Sequence, residues 1–361
     1  MKNNSIVYIV NSLGIGGSEK QLFYLVENLN KNFKIKIIKL NDKTEFYDSK
    51  IEELGVKIHK YDLSRGIFNF DSFRKILKMR SLILSYKPST VHSWLFHSNL
   101  VNYILRILST KYLMIVSKRG SNFWYTKKHF YVNKLIYSKS DYIITNSEYL
   151  KNEILSYNNV ENKIKIIPNA IQVNDKLYRK KIDVNKINIG CIGRIVPEKR
   201  YEDILAAAIL LKKKYDNILF TIIGGRGQFN LFKKQVVNKK IHNYFILKGE
   251  QENIKKHILD FDIFLMASSS EGMPNSIMEA MNYGKPIVAT RVGSIPSLVE
   301  DNKNGLLIDP YNPKQIVEAI SKLIDNQIMM IEFGENSYKM IKKMNISNMI
   351  RKIENIYMEN N

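Results

Sequence analysis

The sequence predicts an α/β protein built as two doubly wound domains facing across a cleft, and three observations carry that expectation. Short β-branched runs alternate with longer amphipathic segments, as parallel strands and their covering helices do. The alternation restarts after one polar, charged stretch, VNDKLYRKKIDVNK (173–186). At 361 residues the chain is long for a single core and sufficient for two domains of ordinary size.

In the first half the strand-like runs are IVYIV (6–10), KIKIIKL (34–40), STVHSW (89–94), YLMIVS (112–117), DYIITN (141–146) and KIKIIP (163–168). They are short and rich in Ile and Val, as strands buried on both faces are. Between them SEKQLFYLVENLN (18–30) and DSFRKILKMRSLILSY (71–86) place apolar residues at helical spacing. The second half repeats the pattern with INIGCIG (187–193), ILFTIIGG (218–225), YFILKG (244–249), FDIFLMAS (261–268), KPIVAT (285–290) and GLLIDP (305–310). The expected boundaries are a first domain over 1–172, a linker over 173–186, a second domain over 187–336 and a helical tail over 337–361. Ligands of open parallel sheets sit beyond the carboxyl ends of the strands, so functional residues are expected just after strands.

Composition narrows the classes. Hydrophobic residues at 45% and charged residues at 25% describe a globular chain. A formal net charge of +22 points to an anionic partner: nucleotide phosphates, nucleic acid or an acidic membrane surface. Lysines spread over solvated faces would give the same number. The single cysteine, Cys191, sits in an apolar run and reads as a buried small hydrophobe; without a partner it forms no internal disulfide, which fits a reducing cytoplasm. Six scattered histidines and no paired cysteines leave no metal-ligand spacing, so no metal is expected. The N-terminal apolar run is too short for a signal-peptide core, and no stretch approaches the ~18 apolar residues of a bilayer span. The expected location is cytoplasmic, soluble or peripheral on the membrane.

Three stretches stand where function is expected. NSLGIGGSEKQL (11–22) follows a strand and opens a helix. Gly14, Gly16 and Gly17 permit close backbone approach and positive φ, Ser18 with Gln21 has capping-box spacing, and amides at a helix start favour an anion. With Glu19 at the third position it is not G-x-G-x-x-G, and such a stretch is often only a turn. IGRIVPEKR (192–200) brings Arg194 and Lys199 to another strand end, two cations suited to a diphosphate. Pairing of either with Glu198 or another surface acid is the plainer explanation. EGMPNSIMEAMNYGKPIVATRVGS (271–294) holds two glutamates eight positions apart. Pro274 starts a helix near Asn275, leaving Glu271 in the loop and Glu279 in the second turn, with the helix N-terminus facing the same space. That suits a ligand with hydroxyls at two ends and phosphate between. Taken alone, Glu271 as a cap and Glu279 as a solvated helix residue would explain the pattern.

The order of these pieces resembles the family 4 glycosyltransferases (glycosyl transferases group 1), whose GT-B fold pairs two Rossmann-like domains. The resemblance covers nearly the whole chain: GGSE (16–19), IIPNAI (166–171), GRIVPEK (193–199), FTIIGGRGQF (220–229), EGMPNSIMEAMNYGKPIVAT (271–290) and VGSIPSLVEDNKNGLLIDPYNPKQIVEAI (292–320). It implies a retaining enzyme that moves a hexose or N-acetylhexosamine from a nucleotide-diphosphate sugar, commonly UDP-linked, to a hydroxyl of an acceptor; a growing, lipid-linked capsule or lipopolysaccharide glycan is the acceptor expected if the first domain docks at the inner membrane face. Position by position, it implies that Glu279 binds the ribose hydroxyls and Glu271 those of the transferred sugar. Arg194 and Lys199 would hold the diphosphate. Amides around Gly16 and Gly17, and those of Met273, Asn275, Ser276 and Ile277, would face sugar or phosphate, and Leu247, Lys248 and Gly249 would receive the base. Members of the fold generally need no cofactor and no divalent ion, because fixed cations and helix dipoles stabilise the departing diphosphate. The last helix of the fold often crosses back to the first domain.

The chain departs from the family at two places. Many relatives carry two histidines one residue apart after the fourth strand; here VHSWLFHSNL (91–100) has Trp94 in the second position and His97 three residues on. Either His92 or His97 is then the candidate to touch the donor sugar, His97 favoured because it lies further into the loop. Arg200 replaces the usual glycine after the lysine, adding a cation near the phosphates.

WYTKKHFYVNKLIYSK (124–139) interleaves aromatics with cations. One reading docks this face on an acidic inner membrane surface; the other turns Phe130, Leu135 and the tyrosines to the core and leaves Lys127, Lys128 and Lys134 solvated. Two alternative functions stay open. A sugar-nucleotide 2-epimerase would share the scaffold, and the net charge would suit a nucleic-acid binder, although no recognisable module accompanies it.

Overall fold

The computed structural model describes residues 4–108, 111–178, 180–183 and 185–359. The chain divides into two compact units, Met1–Ala170 with Ile346–Asn361, and Ile171–Asn345. Of the expected linker, Arg179 and Val184 lie outside the described residues, as do residues 1–3, 109–110 and 360–361 of the expected first domain and tail.

Unit 1 is a parallel sheet of β1 (Ser5–Val10), β2 (Lys34–Lys39), β3 (Lys57–Lys60), β4 (Thr90–Trp94), β5 (Leu113–Lys118), β6 (Tyr142–Thr145) and β7 (Ile164–Ile166), in the order β3-β2-β1-β4-β5-β6-β7. Its helices are α1 (Gly17–Leu29), α2 (Phe46–Glu52), α3 (Phe70–Tyr86), α4 (Leu95–Ile107), α5 (Lys127–Lys139) and α6 (Glu148–Leu155). Every residue of β1 is buried, and successive side chains feed opposite cores. Val7 and Ile9 join α3, α4 and α5; Ile6, Tyr8 and Val10 join α1 and α2. β3, KIHK, is not visible in the sequence as a strand, because lysines stand at both its ends and none of its residues is fully buried.

Unit 2 repeats the plan with β8 (Ile187–Ile192), β9 (Ile218–Ile223), β10 (Phe245–Leu247), β11 (Ile263–Met266), β12 (Ile287–Thr290) and β13 (Gly305–Ile308), ordered β10-β9-β8-β11-β12-β13 and all parallel. Covering helices are α7 (Tyr201–Leu211), α8 (Phe229–Asn238), α9 (Lys255–Asp260), α10 (Asn275–Asn282), α11 (Pro313–Ile324) and α12 (Gln327–Ile341). Cys191 is buried on β8, and burial pushes its thiol pKa up.

The tail is shared between the units. α12 packs in unit 2, while α13 (Ile346–Met358) belongs to unit 1 and feeds Met349, Ile350, Ile353, Ile356 and Tyr357 into the α1–α2 core at helical spacing. In each sheet strand order reverses beside the first strand, between β1 and β4 in unit 1 and between β8 and β11 in unit 2. A ligand crevice is expected at each switch point.

Candidate active site

In unit 2 the connections after β8 and β11 flank the switch point. After β8 the chain enters a short 3₁₀ turn, Pro197–Lys199; after β11, residues 267–274 lead into α10. The two connections interlock. The backbone N–H and the hydroxyl of Ser269 both donate to the Glu198 carbonyl, at 2.8 and 3.3 Å. The Lys199 ammonium pairs with the Glu271 carboxylate, which also accepts from the Ser268 hydroxyl at 2.7 Å. Gly293 closes the group from the β12 side. Its φ is +54°, and a Cβ there would lie 2.0 Å from the Glu271 carbonyl oxygen, so no other residue fits.

These contacts decide two alternatives left open by the sequence. Glu271 is not a helix cap: α10 starts behind Pro274 without a side-chain cap, and the Glu271 carboxylate is engaged by Lys199 and Ser268. Glu279 is not a solvated helix glutamate either. It is 8% exposed, between Ile277, Met278, Ala280 and Met281 of an apolar core. A carboxylate held that dry requires polar partners to offset its desolvation. Met273, Asn275, Ser276 and Ile277 lie in the turn leading into α10 and in its first turn, at the positive end of the helix dipole.

The remaining candidates of unit 2 sit on the same carboxyl edge. Arg194 is exposed, 3.9 Å from Glu198, a loose surface pair of small energetic value. Leu247 ends β10 and packs on the core, the Lys248 N–H donates to the Ile222 carbonyl at 2.9 Å, and the carbonyl of Gly249 (φ +68°) accepts the Gly224 N–H at 2.7 Å. Arg200 adopts left-handed backbone, φ 52° and ψ 45°, which explains why a glycine is at home there. Its guanidinium binds Asp203 bidentately at 2.9 and 2.9 Å, pairs with Glu202 and lies 4.4 Å from the Tyr311 ring centroid. The expected extra cation near the phosphates is therefore neutralised by two local carboxylates.

In unit 1 the connection after β1 carries Gly16 and Gly17. Gly16 caps α1 in extended conformation, and none of Gly14, Gly16 and Gly17 has positive φ. The Ser18–Gln21 capping box is not formed. Gln21 is buried and exchanges two 2.8 Å hydrogen bonds with the backbone of Ala170, tying α1 to the PNAI segment. The loop is pinned at several points. The Leu13 N–H donates to the Glu45 carboxylate at 2.6 Å, the Ser12 hydroxyl to Glu19 at 2.8 Å, and the Ser98 hydroxyl to Asn11 Oδ1 at 2.6 Å.

The two histidines part company. His92 lies inside β4, wholly buried, with Nδ1 2.7 Å from the Tyr357 hydroxyl and Nε2 2.8 Å from the Ser117 hydroxyl. Burial, then the nearby Arg119 charge, holds its pKa well below the usual histidine value. Both ring nitrogens are spent on structure, which corrects the expectation that His92 touches the donor sugar. His97 is on the first turn of α4, its ring stacked on Trp124 at 6.4 Å and 10°. Loss of hydration among these rings lowers its pKa, with His129 adding to the effect.

Two residues at this edge escaped the sequence reading. Leu95, a bulky residue at the β4–α4 junction, has φ +70°, a strained backbone of the kind that gathers at functional sites. Arg119, just past β5, is buried with its guanidinium 4.3 Å from the Trp94 ring centroid. The signal available for Arg119 was SKRGS directly after an apolar run.

Among the described residues no group of His, Cys, Asp and Glu side chains could hold a metal ion, and no helix is long and apolar enough to cross a membrane.

Comparison with known proteins agrees with this geometry. Residues 15–175 match Glycosyltransferase Family 4 and residues 174–340 match Glycosyl transferases group 1. An uncharacterized glycosyltransferase of Methanocaldococcus jannaschii is 26% identical over 360 residues, covering 91% of this chain and 91% of its own. The capsular polysaccharide biosynthesis glycosyltransferase CapM of Staphylococcus aureus is 26% identical over 386 residues, covering 99% and 97%. The crystal structure of Anabaena HepE in complex with UDP-glucose superposes with a TM-score of 0.86 at 16% identity, covering 98% of this chain and 99% of that one. The fold is that of the GT-B glycosyltransferases, two Rossmann-like α/β domains. The chain belongs to the family 4, group 1 glycosyltransferases, and it is a transferase.

Proposed function

We propose that the protein is a retaining hexosyltransferase that moves a hexose or N-acetylhexosamine from a UDP-sugar to a hydroxyl of a growing, lipid-linked surface glycan. The observation that carries this reading is the group at the switch point of unit 2: Lys199 against Glu271, with buried Glu279 on the adjoining helix. In the proposed complex Glu279 takes the ribose hydroxyls, and the base lies against Leu247, Lys248 and Gly249. Arg194 and Lys199 take the diphosphate, and Glu271 takes hydroxyls of the transferred sugar. Amides at Met273, Asn275, Ser276 and Ile277 complete the sugar and phosphate contacts. The UDP-glucose complex named for HepE supports a uridine donor, and the name of CapM supports a capsular polysaccharide as product.

The chemistry follows from charge. The bond between the anomeric carbon and the diphosphate oxygen breaks, the acceptor oxygen bonds that carbon on the same face, and the acceptor proton passes to the departing phosphate. Negative charge grows on the leaving group, where Lys199, Arg194 and the positive end of α10 stabilise it without a divalent ion.

The test is a transfer assay with a panel of nucleotide sugars and NMR assignment of the product anomer. We expect a UDP-sugar to be consumed with retention, and Lys199→Ala to lower kcat by about 10²-fold, as the loss of one transition-state contact does. An inverted product would refute the retaining mechanism, and unchanged kcat in Lys199→Ala would remove the lysine from the site.

A further inference from the structure

Arg119 has an unused binding edge. Its Nη1 donates to Asn169 Oδ1 at 3.1 Å, whereas Nε and Nη2 are buried without a partner, and the residue is only 6% exposed. Those two nitrogens form the side of the guanidinium that matches a carboxylate or phosphate in a bidentate pair. Arg200 shows the same edge in use, with Nε and Nη2 both on Asp203. Burial lowers the Arg119 pKa to about 10, so it stays cationic at neutral pH, yet no carboxylate pairs with it among the described residues. A buried cation without a counter-ion is costly, and one retained in that condition is suited to a ligand that brings the opposite charge.

Its neighbours extend the same deficit. Trp94, whose ring faces the guanidinium, has a buried Nε1–H without an acceptor. Asn146 donates to Asn169 Oδ1 at 3.4 Å and leaves its own Oδ1 unpartnered. These residues stand at or just past the carboxyl ends of β4, β5 and β6, on the ligand side of the sheet. A small hollow between the β1 and β4 connections, lined by Asn11, Ser12, Ser18, Glu19, Trp94 and Leu95, shares Trp94 with the group.

We propose that Arg119, Trp94 and Asn146 form an oxyanion site on unit 1 that receives a phosphate or carboxylate carried by the acceptor glycan. The fork and the indole N–H take the anionic oxygens, and Asn146 Oδ1 takes a neighbouring hydroxyl, so the ligand class is a polyol phosphate or a sugar acid. The assignment to the acceptor rests on the transferase reading above; the existence of the anion site does not.

The experiment follows thermal unfolding of the full chain and of Arg119→Gln and Glu279→Gln with three probes: inorganic phosphate, glycerol 1-phosphate and UDP. Effects of salt on the whole surface are common to all three proteins and cancel in the differences. We expect glycerol 1-phosphate and phosphate to raise the Tm of the wild type and of Glu279→Gln, and to leave Arg119→Gln unmoved. Without anion, Arg119→Gln should be as stable as the wild type or more so, whereas an arginine kept for packing alone would leave the variant less stable. Should Arg119→Gln fail to fold, Arg119→Lys keeps the cation and drops the fork, and its apparent affinity for glycerol 1-phosphate should fall about tenfold. Equal phosphate responses in wild type and variant would overturn the site. A UDP response abolished by Arg119→Gln would give the edge to the donor diphosphate and overturn the acceptor assignment. A UDP response insensitive to Glu279→Gln, with the Arg119-dependent phosphate response intact, would instead sink the donor pocket and leave this site standing.

Discussion

Lys285 shows how a single residue can carry a measurable pH signature unrelated to the proposed chemistry. It is buried ahead of β12 and donates to the carbonyls of Leu259 and Phe261, at 3.0 and 2.7 Å, closing the C-terminal end of α9. Burial, then Lys180, lowers its pKa from 10.5 to about 8. Between those values the folded chain has released a proton that the unfolded chain still holds, so stability rises with pH through that window. Urea unfolding of the wild type should move to higher midpoint between pH 8 and 10, and Lys285→Met should lack that part of the rise. Identical slopes in the two proteins would mean that Lys285 is not desolvated. At this scale the paired glutamates were legible, because a proline and eight residues of spacing place one acid before a helix and the other within it. The fate of His92 was not: whether it faced substrate depended on β4 running on to Trp94, and a helix more than 250 positions away supplied the Tyr357 hydroxyl that occupies its ring, with |i−j| of 265.

At the scale of elements, α13 is fastened to unit 1 by polar contacts as well as by its apolar stripe. The Tyr357 hydroxyl meets both His92 Nδ1 at 2.7 Å and the Tyr8 hydroxyl at 3.1 Å. Tyr357→Phe keeps the ring and strands two buried polar groups, so it should cost about 1–3 kcal/mol in equilibrium unfolding. The wild type should also lose stability as pH falls through 6.5, since the unfolded chain takes a proton that buried His92 refuses. A Tyr357→Phe protein of unchanged stability would show that the apolar stripe alone holds the helix. Periodicity announced most elements, and the C-terminal helix was expected on the first domain from the family resemblance. Periodicity missed β3, whose lysines mask a strand, and it suggested a capping box at Ser18 that loses to a better use of Gln21, a bidentate hold on Ala170.

At the scale of the molecule, the excess of cations is what composition showed first and explains least. In unit 1 the helices α3 and α5, on either side of α4, turn large apolar groups to solvent: Phe70 at 78% and Phe73 on α3, Tyr131 at 67% and Leu135 on α5. Arg74, Lys78, Lys127, Lys128 and Lys134 are exposed beside them. The sequence pointed to 124–139 alone; the outward phenylalanines of α3 were hidden in a segment that reads as an ordinary amphipathic helix. We propose that this mixed face rests on an anionic membrane near a lipid-linked acceptor. The chain should then co-sediment with vesicles containing phosphatidylglycerol, less so in high salt, and Phe70→Ser with Phe73→Ser should weaken binding several-fold. No binding to such vesicles at low salt would remove the face from consideration.

The two sheets, their switch points and the family were readable because strand runs and short motifs are local; the Arg119 edge was not, since it needs three strand ends brought together. The proposed transfer depends above all on a donor pocket in unit 2. Titration calorimetry of UDP into the wild type and Glu279→Gln tests it most directly. Saturable one-to-one binding to the wild type is expected, weakened about tenfold or more in the variant by loss of a charge-assisted hydrogen bond. Equal affinities in the two proteins, or no UDP binding to the wild type, would contradict it.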